Sequence, residues 1–138
     1  MEWMILPFKR YADFSGRSRR LEYWLFSLFY TLVTIVLLGL GFGFAAASAG
    51  GTEGEIGAAF GIFLILWLIF ALASFIPGLA VAVRRFHDQD KSGWFVLLYF
   101  VPYLGALIML VFMCIEGTRG DNRYGPDPKG RIDASVFA

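Results

Sequence analysis

Three long stretches of this 138-residue chain carry no charged side chain: Tyr23–Phe44, Ile56–Val83 and Trp94–Ile115. As α-helices rising 1.5 Å per residue they would measure about 33, 42 and 33 Å, against a bilayer hydrocarbon core of about 30 Å. Backbone polar groups in lipid must be satisfied within the segment itself, so a helix is the expected form of each. A water-soluble globule fails on area. The chain is 58% hydrophobic and only 17% charged, and so small a domain would leave much of that apolar surface exposed. The expected fold class is therefore all-α and integral to a membrane. It is read as one membrane domain over residues 1–138, with three transmembrane helices (about 23–44, 56–83 and 94–115). A short amphipathic segment precedes them and a turn-rich tail, 116–138, follows.

The flanks refine this picture. Trp3, Met4, Ile5, Leu6, Phe8, Tyr11 and Phe14 are interleaved with Lys9, Arg10 and Asp13, a pattern suited to lying on a membrane surface. Tyr23 and Trp24 mark the headgroup level at the entrance to the first span. Ala45–Ala49 resembles a signal-cleavage site, but the apolar run before it is longer than the roughly 7–15 residues of a signal core, so a retained helix is expected. The second span exceeds the bilayer and is expected to tilt or kink, with Pro77-Gly78 as the break point. Ser92 is placed to cap whatever follows it, and Pro102 interrupts the third span.

Sidedness follows from the basic residues, which stay on the cytoplasmic side. Lys9, Arg10, Arg17, Arg19 and Arg20 precede the first span, the next connection holds Glu53 and Glu55 but no cation, and Arg84, Arg85 and Lys91 follow the second span. The N-terminus is thus expected inside. The tail strains the rule: three crossings would carry Arg119, Arg123, Lys129 and Arg131 outside. The alternative is a re-entrant pair of half-helices bent at Pro102. It would need shielding that so small a chain offers sparingly, and three full crossings are the expectation.

Gly39 and Gly43 form one G-x-x-x-G, Gly57 and Gly61 another, at similar depth on either side of a short connection. Small residues at this spacing let helix backbones approach in lipid. An antiparallel hairpin with these four glycines in contact is predicted.

Composition also restricts chemistry. One cysteine (Cys114) and one histidine (His87) argue against a disulfide or a His/Cys metal site, and no metal or cofactor is expected. A net charge of +1 gives no pull toward nucleic acid. The spans lack ionisable groups at their centres, which disfavours proton-coupled transport.

Three motifs remain: Phe14-Ser-Gly-Arg-Ser-Arg-Arg-Leu-Glu-Tyr-Trp24, Arg84-Arg-Phe-His-Asp-Gln-Asp-Lys-Ser-Gly-Trp94, and Asn122-Arg123-Tyr124-Gly125-Pro126-Asp127-Pro128. In this order they closely resemble the bacterial family known as domain of unknown function 805, which includes the YhaH-like inner-membrane proteins. The family pattern more often has Leu where Phe86 stands. The resemblance covers nearly the whole chain and implies a small inner-membrane protein. It brings no activity, substrate or cofactor with it.

Read physically, Arg17, Arg19, Arg20, Arg84 and Arg85 gather near the cytoplasmic headgroups, with His87 and Asp88 among them. Glu22, Asp88 and Asp90 are available as ion-pair partners. The plain reading is topology anchoring; the sharper one is a pocket for a lipid headgroup or another anion. His87 and Asp88 are adjacent and have no evident nucleophile, so catalysis is not expected. The tail motif Asn122, Arg123, Tyr124 and Gly125 reads as a tight turn. The leading functional expectation is a non-enzymatic protein acting through membrane lipids, anionic ones included, or through a membrane-protein partner or second copy of itself. The alternative is an oligomeric small transporter or channel component, with Tyr99, Tyr103 and Pro102 along its path.

Overall fold

A computed structural model describes residues 2–48 and 53–130. The order of elements is α1 (Glu2–Lys9), α2 (Arg20–Ala47), α3 (Glu53–Asp88), a 3₁₀ helix (Gly93–Phe100) and α4 (Leu104–Cys114). Among the described residues there is no β-strand, only an isolated bridge between Asn122 and Gly125. The all-helical class expected from the apolar runs is what forms.

The chain divides into two compact units. One comprises Ser27–Phe75; the other holds the residues up to Phe26 and those from Ile76 onward. In the first, the α2 and α3 segments pack antiparallel through aromatic rings. Tyr30 stacks on Phe70 at 5.4 Å, Phe42 meets Phe60 at 5.0 Å and Phe44 stacks on Phe63 at 5.5 Å. Trp67 Nε1 donates to Thr34 Oγ1 at 3.3 Å. Leu32, Ile35, Val36, Ile62, Ile65, Ile69 and Leu72 are exposed. Such a surface is costly in water and ordinary in lipid, where association rests on packing and polar contacts instead. Both α2 and α3 are long and apolar enough to cross a membrane. Helix α3 runs on through Pro77.

The glycine contact is corrected. Among the described residues a Cβ added at Gly39, Gly43, Gly57 or Gly61 would meet nothing within 4 Å, so there the two G-x-x-x-G motifs make no seam. The close approach falls at Gly41, where a Cβ would lie 3.0 Å from Phe63 Cβ and 3.4 Å from the Phe60 ring. The bulk of the facing phenylalanines decides which small residue matters, and motif spacing does not reveal it.

The third apolar stretch differs more deeply from expectation. No continuous helix spans 94–115. Ser92 caps the 3₁₀ helix, as anticipated, by accepting from Trp94 N. The chain then turns at Pro102 and Tyr103, with Tyr103 at φ 61. Proline contributes no N–H, and Tyr103 takes φ 61 with ψ −54 at the centre of a tight turn closed by Leu104 N donating to Pro102 O, so the helix must stop. Eight 3₁₀ residues and eleven α residues each reach about 16 Å, half of a bilayer core. Gly105 permits the return: a Cβ there would collide with the Leu98 carbonyl oxygen. The core of this unit is Ala82, Phe86, Met109 and Met113, all buried, with Tyr23, Val96, Leu98 and Phe112 packed against them. The turn itself is wet or lipid-facing, with Tyr103 98% exposed.

Candidate functional site

The segments flanking these helices bring most of the charges together. Arg84, on the last turns of α3, is fully buried. Its Nη2 donates to Glu22 Oε1 at 2.8 Å, its Nε to Ser18 Oγ at 2.9 Å and its Nη1 to the Asp13 carbonyl at 2.6 Å. Ser18 N in turn donates to the Arg84 carbonyl at 3.1 Å. The loop before α2 is thereby tied to α3 through one guanidinium. Asp13 stiffens that loop. Its carboxylate accepts from Ser15 and Arg10, Ser15 first in effect, and these bonds lower its pKa to about 2.

Arg17 does the corresponding work for the tail. Its Nε donates to Asp88 Oδ1 at 3.0 Å, its Nη1 to the Gly120 carbonyl at 2.7 Å and its Nη2 to the Thr118 carbonyl at 2.6 Å. Arg85 binds the other oxygen of Asp88 and the Ile115 carbonyl. One buried carboxylate therefore serves two buried guanidiniums. Gly117 is needed beside it, because a Cβ there would run into the Asp88 carboxylate.

The end of α4 is held at the same place. A helix leaves its last carbonyls unpaired, and basic or amide side chains can satisfy them. Here Gln89 Nε2 donates to Phe112 O at 2.6 Å, Arg20 Nη1 donates to Cys114 O at 3.1 Å, and Arg85 donates to Ile115 O. The start of α2, the end of α3 and the end of α4 thus lie together.

The tail turn docks on α3. Tyr124 stacks on the His87 ring at 3.8 Å and 5°, while His87 Nδ1 lies 3.2 Å from the Gly16 carbonyl. Asn122 Nδ2 donates to His87 O at 2.9 Å. Arg123 pairs with Asp90 at 3.1 Å, at the surface. Gly120 and Gly125 take φ 71 and 128, which lets their carbonyls face Arg17. Among the described residues no group of His, Cys, Asp and Glu is arranged to hold a metal ion.

Of the residues singled out from sequence, Arg17, Arg85 and Asp88 form one buried network, Arg84 forms a second buried pair with Glu22, and His87, Asn122, Arg123, Tyr124 and Gly125 border the first. Arg19 and Arg20 stand apart at its rim. Arg19 Nε donates to Pro128 O at 2.6 Å and its guanidinium lies over the Trp3 ring at 5.3 Å. Arg20 faces Glu116 at 3.6 Å, which also takes Lys129 at 2.8 Å. Asp90 does not join the central arginines. Tyr99 bonds to the Tyr23 hydroxyl at 2.9 Å, and Tyr103 is exposed. Sequence reasoning missed Ser18 and the tail carbonyls. Ser18 had a weak signal in its place between arginines; a backbone carbonyl has none, being common to every residue type.

These features define a class: a helical membrane protein whose charged segments fold into one ion-paired cluster. The profile of the family described as Protein of unknown function (DUF805) matches residues 11–126, a range that includes the first two motifs and the third as far as Pro126, and the chain belongs to that family. It is similar to the inner membrane proteins YhaI and YhaH of Escherichia coli K12. Each is 43% identical, over 130 and 129 residues, covering 94% of this chain and 97% and 98% of the relative. The uncharacterized protein YiiR of the same organism is 29% identical, with 83% of this chain and 85% of the relative covered. No solved structure matches.

Proposed function

We propose that this chain is a multi-pass protein of the bacterial inner membrane, with its N-terminus cytoplasmic, that acts through contacts with anionic lipid or another membrane protein and not through catalysis. In this reading α2 and α3 cross the bilayer, and the 3₁₀ helix and α4 dip into it and return.

The observation that carries the reading is the capture of the tail by Arg17, through the carbonyls of Thr118 and Gly120. It supports a tail on the same side as the N-terminal segment. The eleven lysines and arginines among the described residues then belong to segments on one face, and the start of α3 at Glu53 lies toward the other. The charge rule that three crossings strained is satisfied. Apolar helices ending in a basic rim also suit a surface that meets anionic headgroups, at about 1 kcal/mol per basic residue near the surface.

The test is thermal stability of the full chain in bilayer discs of phosphatidylglycerol and of phosphatidylcholine. The expected result is a higher Tm in the anionic lipid, with a difference that shrinks as salt is raised. Equal Tm values in both lipids would remove the anionic-lipid reading.

A further inference from the structure

We infer that the groove between the start of α2 and the end of α4 binds a single anionic phospholipid, its phosphate among Arg19, Arg20 and Lys129 and its acyl chain against Leu21 and Trp24. This deepens the proposed function and rests on its anionic-lipid reading.

The groove is open, about 580 Å³ in volume, and lined by Arg19, Arg20, Leu21, Trp24, Cys114 and Lys129. That volume falls in the range of roughly 300–1,000 Å³ typical of ligand sites. Its charges differ from those of the buried network. Arg17, Arg84 and Arg85 are spent on carboxylates and carbonyls inside the protein. At the groove, Arg20 and Lys129 share one carboxylate, Glu116, in surface pairs with side chains 32–46% exposed, while Arg19 is held by the Pro128 carbonyl at the edge. Such pairs are weak, so these cations can exchange Glu116 for a phosphate at little cost. Charge-assisted bonds from guanidinium to phosphate are the stronger kind.

The apolar half of the groove names the occupant. Leu21 is 51% exposed and Trp24 41% exposed. They lie where the charged segment of α2 gives way to its uncharged run. A free phosphate would use the cations and leave these two surfaces bare. A diacyl lipid uses both, with the tryptophan at its usual interfacial depth.

Cys114, the single cysteine and exposed, lines the groove and reports on its occupancy. The rate of its modification by N-ethylmaleimide is measured in detergent micelles of the full chain, with added phosphatidylglycerol, phosphatidylcholine or inorganic phosphate. Phosphatidylglycerol is expected to slow modification several-fold, and the other two to leave it unchanged. Lys129→Gln should weaken this protection, and Glu116→Gln, which removes the competing carboxylate, should strengthen it. Equal protection by inorganic phosphate would replace the lipid with a free anion and overturn the inference. So would protection that follows protein concentration whatever the lipid, which would indicate a second copy in the groove. Absence of protection in the wild-type chain while phosphatidylglycerol still raises Tm would overturn this groove alone; loss of both effects would overturn the broader reading as well.

Discussion

Arg17 and Asp88 lie 71 positions apart and pair at 3.0 Å, with side chains 1% and 5% exposed. Through this pair the entry to the first long helix, the exit of the second and the returning tail share one buried charge. Replacing such a pair with apolar groups can be neutral, but removing one partner strands the other.

Asp88→Asn is therefore expected to destabilise the protein by about 3–5 kcal/mol, since it leaves Arg17 and Arg85 without their carboxylate. Glu22→Gln should have a similar effect through Arg84, whose partner is equally buried. Arg123→Gln, which breaks the exposed pair with Asp90, should change stability by about 0–1 kcal/mol. Unfolding in mixed micelles by a titrated denaturing detergent measures all three. Equal losses at Asp88 and Arg123 would contradict the buried network.

Two glycines should respond in opposite ways. Gly105→Ala drives a Cβ into the Leu98 carbonyl and is expected to cost about 1–3 kcal/mol, as overpacking does. Gly43→Ala meets open space and should be neutral or mildly stabilising, because alanine is the better helix former by about 1 kcal/mol. The same detergent titration separates them. A larger loss at Gly43 than at Gly105 would restore the motif-based seam and remove the tight return of the hairpin.

The sequence was most legible where one physical force dominates. Uncharged runs of membrane length announced α2 and α3, and the pairing of Glu22 and Asp88 with arginines followed from like positions at one interface. Ser92 was readable as a cap because serine is favoured just before a helix, where its hydroxyl accepts from one of the unpaired first N–H groups. The third apolar stretch misled because its hydropathy matches a full span; what divides it is the local conformation at Pro102 and Tyr103 and the space opened by Gly105. The glycine seam misled for a related reason: spacing locates small residues, while the facing phenylalanines decide which one is needed. Tail carbonyls as arginine partners have no sequence signature at all.

The central claim is that the tail returns to the side from which the chain enters. Fusing a reporter active on one side only to the C-terminus of the full chain, with the same reporter at the N-terminus as reference, tests it in living cells. Both fusions are expected to report the cytoplasmic side. A cytoplasmic N-terminus with a C-terminus on the opposite side would mean that 94–115 crosses completely, and would contradict the capture of Thr118 and Gly120 by Arg17.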